Sequence, residues 1–312
     1  MKKIAFLFPG QGSQFVGMGK DIHDRFDYVR EIFDMAGEIC KRNIARLCFN
    51  GPMEDLTQTV NLQPAITAVN LAFAQVLSRN GVAAQWCAGH SLGEFAALVA
   101  AGVIDPAGAL ALVNQRGRLM HEAALRHQGA MSAIVGLTID LVEQIVAGVG
   151  DRGTLAVANH NSATQIVITG TPEAVAAAGE KARAAGAKAI ALKVSGAWHS
   201  PLIASAREPF AAFLGTIGFV RPRAEVIFNV TGAGEDDPDK IRRLMADQLC
   251  CPVRWHDAMC RLLETEAEVF AEVGPGKVLA GLLKKTVSRD RPCTILTVGA
   301  MAELDLFFKS LA

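Results

Sequence analysis

Three features of the 312-residue sequence predict an α/β fold with a parallel sheet. Short apolar runs alternate with amphipathic stretches along most of its length, the pattern of strands buried between helices. Glycine and proline punctuate the places where one kind of run gives way to the other. Across 129–195 the alternation changes to strand–helix–strand–strand–helix–strand, the order of a ferredoxin-like βαββαβ unit. The chain therefore divides into a large α/β subdomain, 1–128 and 196–312, and an inserted small subdomain, 129–195.

The first strand is "IAFLF", residues 4–8. "PAITAVNLAFAQVLSRNG" is predicted as a helix, with Pro64 in its first turn and Gly81 beyond its end. "AQWCAGHSLGEFAALVAAG" compresses a short strand, a tight turn and a helix that stops at Gly102. "DPAGALALVNQRGRLMHEA" begins a long helix, with Asp105 as N-cap and Pro106 in the first helical position. In the insert, "AMSAIVGL", "TLAVANHN", "TQIVITG" and "AKAIALKVS" read as strands, and "IDLVEQIVAGVG" and "TPEAVAAAGEKARAAG" as helices. The large subdomain resumes with the strand "AEVIFNV" and the helical "KIRRLMADQL". It then closes through the strand–helix unit "EVFAEVGPGKVLAGLLKK".

Composition narrows the class of function. Hydrophobic residues make up 51% against 20% charged, which suits a chain that buries a large core. The formal net charge is zero, so neither nucleic acid nor an anionic membrane is expected as a partner. "MKKIAFLF" is broken at once by Pro9 and Gly10 and reads as a strand rather than a signal peptide. No apolar run is expected to span a bilayer. The seven cysteines are odd in number and contain no C-x-x-C pair, which predicts reduced thiols and a cytoplasmic protein. Cys250 and Cys251 read as packing residues rather than a redox or metal pair.

"FPGQGSQFVGMG", residues 8–19, has the composition of a phosphate loop but not the spacing of one. The third glycine of G-x-G-x-x-G is replaced by Phe15, and the first glycine of a Walker loop by Gln14. "GHSLG", residues 89–93, does fit its template: G-x-S-x-G with an apolar strand before and a helix after. Such a turn lifts the Ser91 hydroxyl into the open at a helix N-terminus, where it can act as a nucleophile. The plainer alternative is a serine that merely caps the helix. His90 is a poor base for it, because adjacent side chains in a sharp turn diverge.

Among later histidines, His121 and His127 read as solvated, His160 lies between strands of the insert, and His256 follows Trp255 at a helix start. His199, in "VSGAWHSPL", occupies a strand-to-helix loop, where an α/β site presents its side chains, and is the favoured base. No acidic residue stands in an obvious place to orient it, so a carbonyl or amide is expected instead. Arg116 is flanked at three and four residues by Leu112, Val113, Leu119 and Met120, which puts a guanidinium on an apolar stripe. It needs either a structural ion-pair partner or an anion that arrives with the substrate. Arginine's planar fork suits a carboxylate. An acyl-serine reaction also needs donors for a tetrahedral oxyanion. The N–H of Leu92 and the loop "PGQGSQ", with Gln11, are the candidates.

"FPGQGSQ", "GHSLGE", the "QRG" arginine, "SGAWHSPL" and "EVGPGKVL", in that order, resemble the malonyl-CoA:acyl carrier protein transacylases of fatty acid synthesis. The acyltransferase domains of polyketide synthases are similar. The resemblance runs almost end to end and implies a hydrolase-like large subdomain carrying the ferredoxin-like one. It implies that Ser91 takes the malonyl group, His199 is general base and then acid, and Arg116 holds the malonyl carboxylate. It further implies oxyanion donors at the amides of Gln11 and Leu92, and a main-chain carbonyl of Gln248 that steadies His199. Asn159 and Asn161 correspond to residues that contact substrate. Relatives commonly carry Phe or Ser where this chain has Trp198, and the larger ring should shrink the acyl pocket.

The implied reaction is ping-pong from malonyl-CoA to acyl carrier protein, by a monomer with no metal or cofactor. A free-standing polyketide acyltransferase and the malonyl-loading subunit of a malonate decarboxylase share this chemistry. A serine esterase would share the elbow but has no use for Arg116, and a catalytically dead scaffold would not need these residues intact.

Overall fold

β1 (Ile4–Phe8) has five consecutive buried residues. Ile4, Phe6 and Phe8 join one apolar core while Ala5 and Leu7 join a second, so the strand is covered on both faces. The same holds for its neighbours β2 (Trp86–Gly89), β7 (Glu225–Ile227), β8 (Val269–Val273) and β9 (Thr294–Val298). These five strands form an all-parallel sheet in the order β7-β2-β1-β8-β9. Helices Asp27–Cys40, Thr59–Arg79, Gly93–Ala100 and Pro106–Arg126 cover one face, and Trp255–Leu263 and Val278–Thr286 the other. The computed structural model describes residues 2–311, Asp151 by its backbone only.

The insert builds the remaining strands: β3 (Ala130–Val135), β4 (Leu155–Ser162), β5 (Gln165–Gly170) and β6 (Lys188–Ala191). They pair antiparallel in the order β4-β5-β3-β6. Helices Ile139–Ala147 and Pro172–Ala184 bury one face of this sheet, with Ile134, Ile166 and Ile168 at the centre. Met131, Ala133 and Val167 on the other face join the large core. A parallel bridge between Asn159 and Val253 ties β4 to the large subdomain. The α/β architecture with a ferredoxin-like unit is thus the one the sequence pattern predicts.

Several elements differ from expectation, among them the strand "AKAIALKVS", which pairs only over Lys188–Ala191, and the two that follow. The helix predicted to start beside Pro64 begins at Thr59, and Pro64 lies within it. Proline cannot donate to the carbonyl four residues back, which is Val60. The Arg42 guanidinium donates to that carbonyl instead, so the helix continues past the proline. The lengthened helix is also apolar and long enough to cross a membrane by length and composition, contrary to expectation, yet 78% of its most apolar window is buried in the fold. The predicted strand "AEVIFNV" pairs only over Glu225–Ile227, because Asn229 leaves the sheet to serve the serine turn.

Register is what assembles the site. β1 and β2 are parallel with Phe8 opposite Gly89, so both strands end at one level. The loop "PGQGSQ" and the serine turn therefore leave the sheet side by side at its carboxyl edge, where open α/β sheets bind ligands.

Candidate active site

Ser91 sits between the end of β2 and the helix Gly93–Ala100, with φ of 50°, in the left-handed region that side chains rarely adopt. Such strain persists only where surrounding bonds over-determine it. Here the Ser91 N–H donates to Asn229 Oδ1 (2.6 Å) and Asn229 Nδ2 donates to the Gly89 carbonyl (2.7 Å), a clip across the turn. Close packing beneath needs glycine at position 93, since a Cβ there would stand 2.0 Å from the Phe8 carbonyl oxygen.

His199 is also left-handed, with φ of 58°, and its Nε2 lies 2.8 Å from Ser91 Oγ. Its Nδ1–H donates to the main-chain carbonyls of Gln248 (2.8 Å) and Cys251 (3.2 Å). Carbonyls only accept, so the proton is on Nδ1 and the Nε2 lone pair faces the serine. Burial, reinforced by the charge of Arg116, pushes the imidazole down to about 3 against the pull of its two carbonyls. The ring is neutral at physiological pH and able to take a proton.

Arg116 comes from the buried stripe of the helix Pro106–Arg126 and is 1% exposed. Its Nη2 donates to Ser91 Oγ (3.2 Å) and to Gln248 Oε1 (3.0 Å), both uncharged, and among the described residues its buried Nε has no partner. Burial lowers the guanidinium to about 10, which leaves it charged, with Glu94 pulling the other way. Among the described residues Arg116 makes no direct ion pair, and a buried cation with a spare donor faces the nucleophile.

Glu94 lies in the first turn after the serine, fully enclosed. Its Oε1 accepts the Asn229 N–H and its Oε2 accepts Gln248 Nε2. Burial pushes its carboxyl up, opposed by those two donors and by Arg116; with an N–H donor on each oxygen it is held as the accepting carboxylate.

A cavity of about 100 Å³ opens onto Ser91. Gln11 and Leu92 line it, and among the described residues neither backbone N–H donates to a protein acceptor. Gly10 lets the first loop close on the serine turn, since a Cβ there would be 2.4 Å from the His90 carbonyl oxygen. Trp198, Met120, Met131, Leu192 and Val194 form the apolar wall. Asn159 reaches the cavity from the small sheet, but Asn161 does not. Asn161 Oδ1 instead accepts from His90 Nε2 (2.8 Å). That bond occupies His90 Nε2, while Ser91 Oγ is bonded to His199. His121 is half-buried and His127 exposed, and the His160 and His256 rings pack at a tilt of 54° with centroids 4.8 Å apart, outside the cavity.

The family described as acyl transferase domain matches residues 5–303. The chain belongs to this family. It is 40% identical over 291 residues to the malonyl CoA-acyl carrier protein transacylase of Bacillus subtilis, covering 93% of this chain and 92% of the relative. It is 39% identical over 304 residues to the protein of the same name from Escherichia coli, covering 97% and 98%. The crystal structure of an acyl carrier protein S-malonyltransferase from Vibrio cholerae superposes with a TM-score of 0.92 at 39% identity, covering 98% of this chain and 99% of that one.

Sequence reasoning missed three residues of this acyl transferase site. Glu94 reads as an ordinary acidic residue in a helix's first turn, and Asn229 as the end of a strand. Gln63 lines the cavity beside Arg116, spends its Nε2 on Met120 Sδ (3.0 Å) and leaves Oε1 without a partner among the described residues. Its apolar neighbours Val60 and Ile66 on one helix carry the kind of signal that exposed Arg116.

Proposed function

We propose that this chain transfers a malonyl group from malonyl-CoA to the phosphopantetheine thiol of acyl carrier protein, through a malonyl-Ser91 intermediate, in fatty acid biosynthesis. The observation that carries the reading is Arg116, a buried guanidinium with an unpartnered Nε, in the wall of the cavity that holds a hydrogen-bonded serine and histidine. A neutral acyl group would leave that donor unpaired, at a cost of about 1–3 kcal/mol. A terminal carboxylate supplies the missing acceptor and charge.

In the first half-reaction His199 Nε2 takes the Ser91 hydroxyl proton as Oγ attacks the thioester carbonyl. The N–H groups of Gln11 and Leu92 receive the oxyanion. The C–S bond then breaks, and the CoA sulfur leaves with the proton from His199. In the second half the carrier thiol gives its proton to His199 and attacks the serine ester, and Oγ recovers the proton as the ester opens. The malonyl carboxylate on Arg116 also weakens the positive field that helps to depress His199, which strengthens the base once the correct acyl group is bound. Asn159 contributes a polar wall, and Trp198 limits the space beside the α-carbon.

Intact-mass measurement after mixing with malonyl-CoA alone tests the reading. One malonyl group on Ser91 with a single equivalent of CoA released, followed by discharge to holo carrier protein, is expected. Continuous CoA release without a carrier would mean a hydrolase, and no adduct on Ser91 would overturn the proposal.

A further inference from the structure

Two N–H donors converge on the oxygens of Glu94: the main-chain N–H of Asn229 on Oε1 and the Gln248 amide on Oε2. Only an acceptor on both sides satisfies them. On its far side the Gln248 amide presents Oε1 to Arg116 Nη2 (3.0 Å), and its Nε2 is shared with the Ser91 carbonyl (2.8 Å). Arginine cannot accept, so this orientation of the amide is the one compatible with Arg116. His199, by contrast, bonds to the main-chain carbonyl of Gln248 and not to its side chain.

We propose that Glu94 is a positioning residue for Arg116: acting through the Gln248 side chain, it aims the guanidinium that receives the acyl carboxylate, while His199 is held by main-chain carbonyls. The inference rests on the role given to Arg116 above. Glutamine at position 94 keeps the shape and fails the pattern. Its carbonyl must face the fixed N–H of Asn229, so its NH2 faces the NH2 of Gln248. The Gln248 amide then turns over, presents a donor to Arg116 and gives up its bond to the Ser91 carbonyl, while the Asn229 clip keeps the serine turn in place. A carboxylate that only propped up the fold would weaken every reaction of Ser91 alike. A carboxylate that aims Arg116 affects only substrates that use Arg116.

The experiment compares three readouts on wild type and Glu94→Gln: malonyl transfer, acetyl transfer, and labelling of Ser91 by a fluorophosphonate, which needs the nucleophile, its base and the oxyanion donors but no acyl carboxylate. Glu94→Gln is expected to lower malonyl kcat/KM about 10- to 100-fold while the other two change less than about threefold. In an Arg116→Ala background the same substitution should add no further loss. Should near-UV circular dichroism show Glu94→Gln to be unfolded, Glu94→Asp, which withdraws the carboxylate by one methylene, is expected to give the same selective loss at smaller size. Unchanged malonyl transfer, or an equal fall in all three readouts, would overturn the positioning role. Wild type that takes no malonyl group on Ser91 would overturn the proposed function instead, which separates the two failures.

Discussion

The two halves of the site are built differently. The Ser91–His199 half is held mostly by main chain: two left-handed backbone turns and the carbonyls of Gln248 and Cys251 on the imidazole, with the Asn229 side chain clipping the Ser91 N–H. The Arg116 half is held by side chains, with Gln248 and Glu94 forming a buried relay beneath it. Main-chain partners cannot be removed by a point substitution without moving the fold, whereas side-chain partners can. The chemistry of the nucleophile should therefore tolerate change around it, and recognition of the acyl tail should not.

Removing the base gives the largest expected effect. His199→Ala should slow malonyl transfer and fluorophosphonate labelling together by about a thousandfold or more, because both need the Ser91 proton removed. A variant that lost transfer but kept labelling would erase the distinction between the halves. Next comes the apolar wall. With Trp198 beside the cavity, methylmalonyl-CoA should acylate Ser91 about 10- to 200-fold less efficiently than malonyl-CoA, and Trp198→Phe should narrow the gap. Equal kcat/KM for the two thioesters would show that the ring does not set the space. The smallest effect is expected at the clip. Asn229→Ala leaves the Ser91 N–H and the Gly89 carbonyl without their partner and should cost about 1–3 kcal/mol in chemical denaturation, while malonyl-to-acetyl preference stays as in wild type.

The same contrast explains which parts of the molecule are legible in the sequence. Ser91 can be read because a strand–turn–helix pattern surrounds it, His199 because its loop joins two elements, and Arg116 because helical spacing puts a cation among leucines and valines. Each of those signals is local. Glu94 and Asn229 have no local signal, since what defines them is contact between residues 135 positions apart. The carbonyl of Gln248 is invisible to residue chemistry altogether, as any residue has one, and only the resemblance to known transacylases pointed to it. Pro64 misled in the opposite direction. Its local meaning as a helix start was overridden by Arg42, which supplies from another helix-flanking segment the donor that proline lacks.

The central claim is that a buried guanidinium beside the serine–histidine pair selects an acyl group with a free carboxylate. Arg116→Ala tests it most directly when malonyl and acetyl transfer are measured side by side with fluorophosphonate labelling. Malonyl kcat/KM is expected to fall about 100-fold or more, with acetyl transfer and labelling within a few-fold of wild type. If acetyl transfer and labelling fell as far as malonyl transfer, Arg116 would be serving the nucleophile rather than the substrate, and the division of the site described above would be wrong.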